Sequence, residues 1–295
     1  MKRLVLLIGL ISFASAFALA QEQYSSAPAT DSAAVSFSWK RNKMDGHRTG
    51  VTAPTGSNIK EAMGVYDGKQ YVAPNGKVFK KGSTPEVARI MFEAQEVMAP
   101  VKEVIGRSAK EMDRYRPQCE LSNWFTGFLI EKTAELTDRH VDVAIYNFGG
   151  IRTDMPAGDL TVDDIYSMFP FNNSLCYLCL KGSDLRYIFE YLAKTRIQAF
   201  SGAKIVVKDH KLQSITINGK PLDDRKFYGV ATINFLLDGG DGLFLAKNAK
   251  EFIDSGVYVK DALVPYIREM SKENKVVDGE LDDRVTIIGD IKDYR

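Results

Sequence analysis

Histidine is scarce in this sequence: the 295 residues hold only His47, His140 and His210, scattered and without ligand spacing. No Asp-x-His, Gly-Asn-His or Gly-His-x-His string occurs. The nitrogen ligands of a dinuclear hydrolytic metal site are therefore missing, and a site built from Asp and Glu alone is a poor substitute. Cysteine is nearly as sparse, with three residues, too few and of the wrong parity for a disulfide framework. Cys176-Tyr177-Leu178-Cys179 spells CxxC, but it sits in an apolar run that reads as a buried strand, where an offset of three puts the thiols on opposite faces. No second Cys or His pair completes a zinc site, so both thiols are expected to pack in the core. An excess of basic charge is also lacking. Without Lys2 and Arg3, 37 basic residues face 38 acidic ones, which argues against a nucleic-acid partner held by a phosphate-neutralising patch.

What is present begins with Lys2 and Arg3, the apolar run Leu4–Ile11 broken by Gly9, and Ala18-Leu19-Ala20. This is the pattern of a signal peptide over residues 1–20, with cleavage after Ala20 and an exported, periplasmic or secreted, product. The apolar run is too short for a comfortable membrane span, and no Cys stands at the cleavage point to carry lipid. Residues 21–83 read as a leader and a small irregular β extension. Within it Tyr71–Phe79 is expected to form a hairpin turning at Asn75-Gly76, and His47 and Arg48 read as a solvated polar turn. A helix is expected from Ser83 or Thr84, with Pro85 in its first turn and Val87, Ile90, Met91, Ala94, Val97 and Met98 at helical spacing.

From there to residue 292 helices and strands mix without strict alternation, which predicts an α+β domain, 84–292, of mixed sheets with packed helices. A helix is expected over Leu121–Leu136, capped by Ser122 or Asn123, and a strand over Val141–Tyr146. A short helix Val162–Met168, a strand Leu175–Leu180 and a helix Ser183–Lys194 follow. The rest reads as a strand pair Lys204–Lys208 and Leu212–Ile217, a strand Tyr228–Ile233, a helix Val259–Ser271 and a strand Arg284–Ile288.

Three turns at the ends of apolar runs carry the chemistry. They are Asn147-Phe148-Gly149-Gly150-Ile151-Arg152, Phe169-Pro170-Phe171-Asn172, and Asn234-Phe235 with Gly239-Gly240-Asp241-Gly242. Asn147 offers a donor and an acceptor to a base edge, and Gly149 and Gly150 allow a close approach. Arg152 offers a planar fork to phosphate or sugar oxygens, and Asp241 accepts hydroxyls. Phe171 and Phe235 are rings in polar loops, able to sandwich a flat base. Taken singly, each has a plain alternative: Arg152 in a surface ion pair, Asp241 in turn chemistry, either ring tucked onto the core.

In their order these turns, with the approach Arg116-Pro117-Gln118-Cys119-Glu120-Leu121-Ser122-Asn123, resemble the C-terminal, substrate-recognition domain of the 5′-nucleotidase and UDP-sugar hydrolase family. The resemblance covers roughly residues 100–292. It implies that Phe171 and Phe235 stack on either side of a nucleobase and that Asn147 and the amides near Gly149 and Gly150 contact the ligand. It further implies that Arg152 and Arg116 hold ribose or phosphate and that Asp241 takes ribose hydroxyls. Arg114 competes with Arg116 for its role. Phe148 stands where the family usually has a third glycine and is expected to narrow the approach, and Ser122 replaces a common glycine. Family members carry an N-terminal metallophosphatase domain with two metal ions, for which these residues hold neither the motifs nor the length. The chain is thus expected to recognise a nucleotide or nucleoside. No cofactor and no catalytic residue are expected on this chain, and a divalent metal pair is expected on a separate metallophosphatase chain. A stand-alone nucleoside- or nucleotide-binding protein, and a complete hydrolase with an unrecognised site, are the alternatives.

Overall fold

A computed structural model describes residues 49–52 and 59–294. The expected signal, the leader, and His47 and Arg48 lie outside the described residues.

The described chain starts with α1 (Ile59–Met63) and a three-stranded antiparallel meander, β1 (Val65–Tyr66), β2 (Tyr71–Val72) and β3 (Val78–Phe79). The hairpin between β2 and β3 turns where Asn-Gly predicts, with Gly76 at φ 80°, a left-handed conformation that suits glycine. Helix α2 (Ser83–Met98) packs Ala88 and Phe92 against Tyr71, Ala73, Tyr66 and Phe79. Much of its apolar stripe finds no cover: Val87, Ile90, Val97 and Met98 are all exposed.

Next come β4 (Val104–Ser108) and α3 (Glu120–Thr137). Helix α3 begins before the predicted caps. Cys119 is the N-cap, in extended geometry, its sulfur accepting from the Ser122 amide at 3.4 Å while the Ser122 hydroxyl accepts from the Cys119 amide at 3.0 Å. Ser122 therefore closes a capping box from inside the first turn, because its hydroxyl reaches back where the resembling family's glycine has none. Leu121, Phe125, Phe128 and Leu129 are fully or almost fully buried.

The chain continues through β5 (Val143–Tyr146), β6 (Gly158–Thr161), α4 (Val162–Met168), β7 (Ser174–Lys181), α5 (Gly182–Lys194) and β8 (Ala199–Ser201). It closes with β9 (Ala203–Lys208), β10 (Lys211–Ile217), β11 (Lys220–Pro221), β12 (Phe227–Ile233), β13 (Glu251–Tyr258), α6 (Val259–Lys272) and β14 (Val285–Ile288). Strands β4, β6, β8, β11 and β13 have no counterpart in the sequence reading. β13 alternates half-buried and exposed residues at the edge of its sheet, and its core-facing set, Glu251, Ile253, Ser255 and Val257, is half polar.

Two larger sheets result. One has the order β11-β10-β9-β14; the other, β13-β7-β12-β5-β8, is the centre of the molecule. In it β12 and β5 run parallel, while β7 and β8 run antiparallel to them. β7 is buried on both faces along most of its length, including Cys176. Cys119, Cys176 and Cys179 are all free thiols. Burial, reinforced by Asp254, pushes the Cys176 thiol up to about 12, the behaviour of a packed and unreactive sulfur. No helix among the described residues is long and apolar enough to cross a membrane.

Candidate functional site

The strand directions bring the three turns together. β5 and β12 are parallel neighbours, with Val143 opposite Val230, so the turns that follow them emerge at the same end of the sheet. β7 is antiparallel to β12, with Leu175 opposite Ile233, so the segment entering β7 from Pro170-Phe171 arrives at that end too. The Ser174 amide donates to Asn234 Oδ1 at 3.3 Å, tying the second turn to the third. β8 is antiparallel to β5, with Ala199 opposite Tyr146, which delivers a fourth segment, Thr195-Arg196-Ile197-Gln198, to the same place.

Asn147 is buried, and its amide donates to Asp241 Oδ2 at 2.8 Å across 94 positions of sequence. Its Oδ1 is buried and accepts nothing among the described residues. Asp241 is held in a left-handed conformation, φ 49° and ψ 27°, inside the tight Gly240–Gly242 turn. The two glycines of the first turn serve different ends. A Cβ on Gly149 would meet Asn147 and Asp241 at ordinary contact distance, 3.4 and 3.6 Å, whereas one on Gly150 would lie 2.5 Å from the Tyr146 hydroxyl oxygen. Gly150 is thus required by packing against the strand below it. Neither has positive φ, so the sharp turn does not depend on glycine's left-handed freedom.

Arg152 donates to the Gly149 carbonyl at 3.3 Å, and its guanidinium lies 5.9 Å from the Phe171 ring centroid. Phe171 and Phe235 are 45% and 46% exposed, unlike Phe125 and Phe169, whose stacked rings are 4.2 Å apart in the core. Neither loop ring is tucked away.

Arg116 and Arg114 separate clearly. Arg114 gives its side chain to the Ile151 carbonyl and its amide to Asp154. Arg116 donates to the Ile197 carbonyl at 2.7 Å and to Gln198 Oε1 at 3.2 Å, and lines a cavity of about 400 Å³ with Gly149, Arg196, Gln198 and Asp241. Phe148 does not narrow this approach. Its ring is buried 4.7 Å beneath the Arg116 guanidinium, and its amide donates to Gln198 Oε1 at 2.9 Å. The extra aromatic ring supports a cation where a glycine would leave a gap. Burial, then repulsion from Arg196, lowers the Arg116 guanidinium to about 10 against the pull of Asp241.

Sequence reasoning missed Arg196 and Gln198. They precede β8, a three-residue strand with no turn signal of its own. A second, larger and mainly apolar groove of about 1250 Å³ lies on the far side of Tyr191, between α5 and the 237–248 loop. It holds none of the predicted site residues. Among the described residues, no group of three or more His, Cys, Asp or Glu side chains could hold a metal ion. His140 pairs with Asp142 at 3.2 Å just before β5, at the opposite end of that strand from the Asn147 turn, and His210 stacks on Tyr294.

The chain is thus a mixed-sheet α+β domain with a cavity lined by two arginines and with two exposed phenylalanines at one end of its central sheet. Comparison with known proteins names its kind. The family described as 5′-nucleotidase, C-terminal domain, matches residues 101–248, half of the chain, and the chain belongs to that family. It is 30% identical over 166 residues to protein UshA of Yersinia enterocolitica, covering 55% of this chain and 30% of that protein. It is 28% identical over 222 residues to protein UshA of Escherichia coli, covering 69% of this chain and 39% of that one. The crystal structure of a 5′-nucleotidase precursor from Thermus thermophilus shares the fold, with a TM-score of 0.61 at 24% identity, over 75% of this chain and 46% of the other. The chain therefore spans roughly a third of the length of these curated relatives.

Proposed function

We propose that this chain is the nucleotide-recognition half of an exported 5′-nucleotidase-type phosphohydrolase system. The observation that carries the reading is the meeting, at one end of the central sheet, of three turns far apart in sequence. They present two exposed rings, Phe171 and Phe235, beside Arg152, Arg116, Asp241 and Gly149. In this reading the base stacks between the two phenylalanines. Each ring face contributes on the order of 1–3 kcal/mol and tolerates any flat base. Asp241, oriented by Asn147, accepts the ribose hydroxyls, and the arginines hold the phosphate. Asn147 acts mainly through Asp241, since its amide is buried and committed to that carboxylate.

The water-activating chemistry is assigned to a divalent metal pair on a metallophosphatase chain, because the sequence has only three histidines and none in a ligand motif. Export follows from the signal-like first twenty residues.

Calorimetry with AMP, UMP and their nucleosides tests recognition: binding that Phe171→Ala and Phe235→Ala each weaken supports it, and no binding of any of the four overturns it. Phosphate release with Mn²⁺ or Zn²⁺ is then measured for the chain alone and with a metallophosphatase. Turnover by the lone chain, abolished by Phe235→Ala, would replace this assignment with that of a complete hydrolase.

A further inference from the structure

The groove of about 1250 Å³ between α5 and the 237–248 loop takes no part in the reading above. Its volume exceeds the roughly 300–1,000 Å³ of small-molecule pockets, which points to a macromolecular occupant. Tyr187, 69% exposed, stands on its α5 wall, and Phe244, 57% exposed, on the facing loop. Large rings gathered on the rim of an apolar groove mark an interaction surface, unlike rings exposed singly. The α5 wall has a further pattern. Asp184, Tyr187, Tyr191 and Lys194 recur at spacings of three, four and three and so share one helix face. Asp184 stands in the first turn of α5 and Lys194 in the last. Among the described residues neither forms an ion pair; Asp184 accepts from the neutral Asn248 amide at 2.7 Å, and Lys194 is exposed.

We propose that this groove is a homodimer interface, in which α5 packs antiparallel on α5 of a second copy of the chain and each Tyr187 enters the other copy's groove. The exposed face of α5 is self-complementary in that direction alone. Counted from Phe189, Asp184 lies five residues before and Lys194 five after, Tyr187 two before and Tyr191 two after. A two-fold axis at that level sets Asp184 against Lys194 of the second copy at both ends of the contact. It sets Tyr187 against Tyr191 twice between them, as an isologous interface demands. The rings supply buried area, and the charge pairs fix direction and register. Parallel packing would instead set Asp184 against Asp184 and Lys194 against Lys194, like charges that repel. Tyr191 lines both this groove and the cavity beside Gly149, so the interface adjoins the candidate site while using none of its predicted residues. The inference does not depend on the nucleotide reading.

Analytical ultracentrifugation of the whole chain over a range of concentrations tests the interface. The native chain should form a dimer, and Tyr187→Ser, at an exposed position, should raise its Kd at least about tenfold. Asp184→Lys and Lys194→Asp should each weaken the dimer by setting like charges across the axis. The double variant Asp184→Lys with Lys194→Asp should recover most of the lost affinity. Circular dichroism checks that each variant is folded, since reversed charges oppose the helix dipole. Where one is not, Asp184→Asn or Lys194→Gln takes its place, with a smaller weakening expected. A native chain that is monomeric at every concentration, its groove filled from within the chain or kept for another protein, overturns the proposal. A dimer that Tyr187→Ser leaves intact is held by another surface and overturns it too. A dimer weakened by the single reversals and not recovered by the double one overturns the antiparallel register.

Discussion

The two ends of the central sheet are built from the same strands, yet they dispose of their polar groups differently. At the end where β5 and β12 begin, polar groups are consumed internally. Asp142 accepts from the Gly229 amide at 2.9 Å and from Asn218 at 3.1 Å, and Arg186 is paired with Asp224 at 2.7 Å. Gly202 has φ 81°, and a Cβ there would sit 1.9 Å from the Asp142 carbonyl oxygen. At the other end, charges and rings are left over: Arg116 and Arg196 without a carboxylate partner among the described residues, Phe171 and Phe235 half in solvent. Glycines answer to close packing at both ends, Gly202 against Asp142 and Gly150 against Tyr146. The unspent polar and aromatic groups, more than the glycines, mark a site.

The contrast can be broken by mutation. The largest effect is expected at the packed end. Gly202→Ala meets both a left-handed backbone and the Asp142 carbonyl, and should cost about 3 kcal/mol or more in urea unfolding. At the open end Phe235→Ala should weaken nucleotide binding by about 1–3 kcal/mol in calorimetry while moving the unfolding midpoint little, because its ring is already 46% exposed. If Phe235→Ala unfolds the protein, or if a variant at the packed end loses binding while keeping full stability, the division of labour fails.

Asn147→Ala should show both effects at smaller size, about 1–2 kcal/mol of stability from a lost buried hydrogen bond together with weaker binding of ribonucleotides. A further prediction concerns pH. The Cys176 thiol has a folded value raised from 9.0 to about 12, so the stability it contributes is fully present below pH 9 and is lost as pH climbs towards 12. Alkaline unfolding of Cys176→Ala should therefore be less steep with pH than that of the native chain. The smallest effect should come from Val97→Ser on α2, within about 0.5 kcal/mol, because that side chain is 81% exposed.

α2 also shows the limit of periodicity. Val87, Ile90 and Val97 have the spacing of a buried face, as do Leu121, Phe125, Phe128 and Leu129 in α3. α3 lies against the central sheet and buries its apolar residues, whereas among the described residues α2 packs Ala88 and Phe92 on the small β1–β3 meander and leaves Val87, Ile90 and Val97 exposed. Spacing tells which face is apolar and is silent on whether a partner exists. In the same way the sequence reading placed α4, α5 and β7 within one residue of their observed ends but missed β8 and β13, whose short or half-polar patterns fall below any local signal.

The sequence by itself determined the helices and strands that lead into the three turns, the two phenylalanines those turns carry, and the scarcity of histidine. These are local properties, set by periodicity, turn chemistry and composition. Tertiary structure alone decided that Arg116 rather than Arg114 faces the cavity, that Phe148 lies beneath that arginine, that Gly150 answers to Tyr146, and that Arg196 and Gln198 line the same cavity. Each of these depends on the parallel pairing of β5 with β12 and the antiparallel return of β7 and β8. That pairing joins segments tens of residues apart through contacts no local window contains.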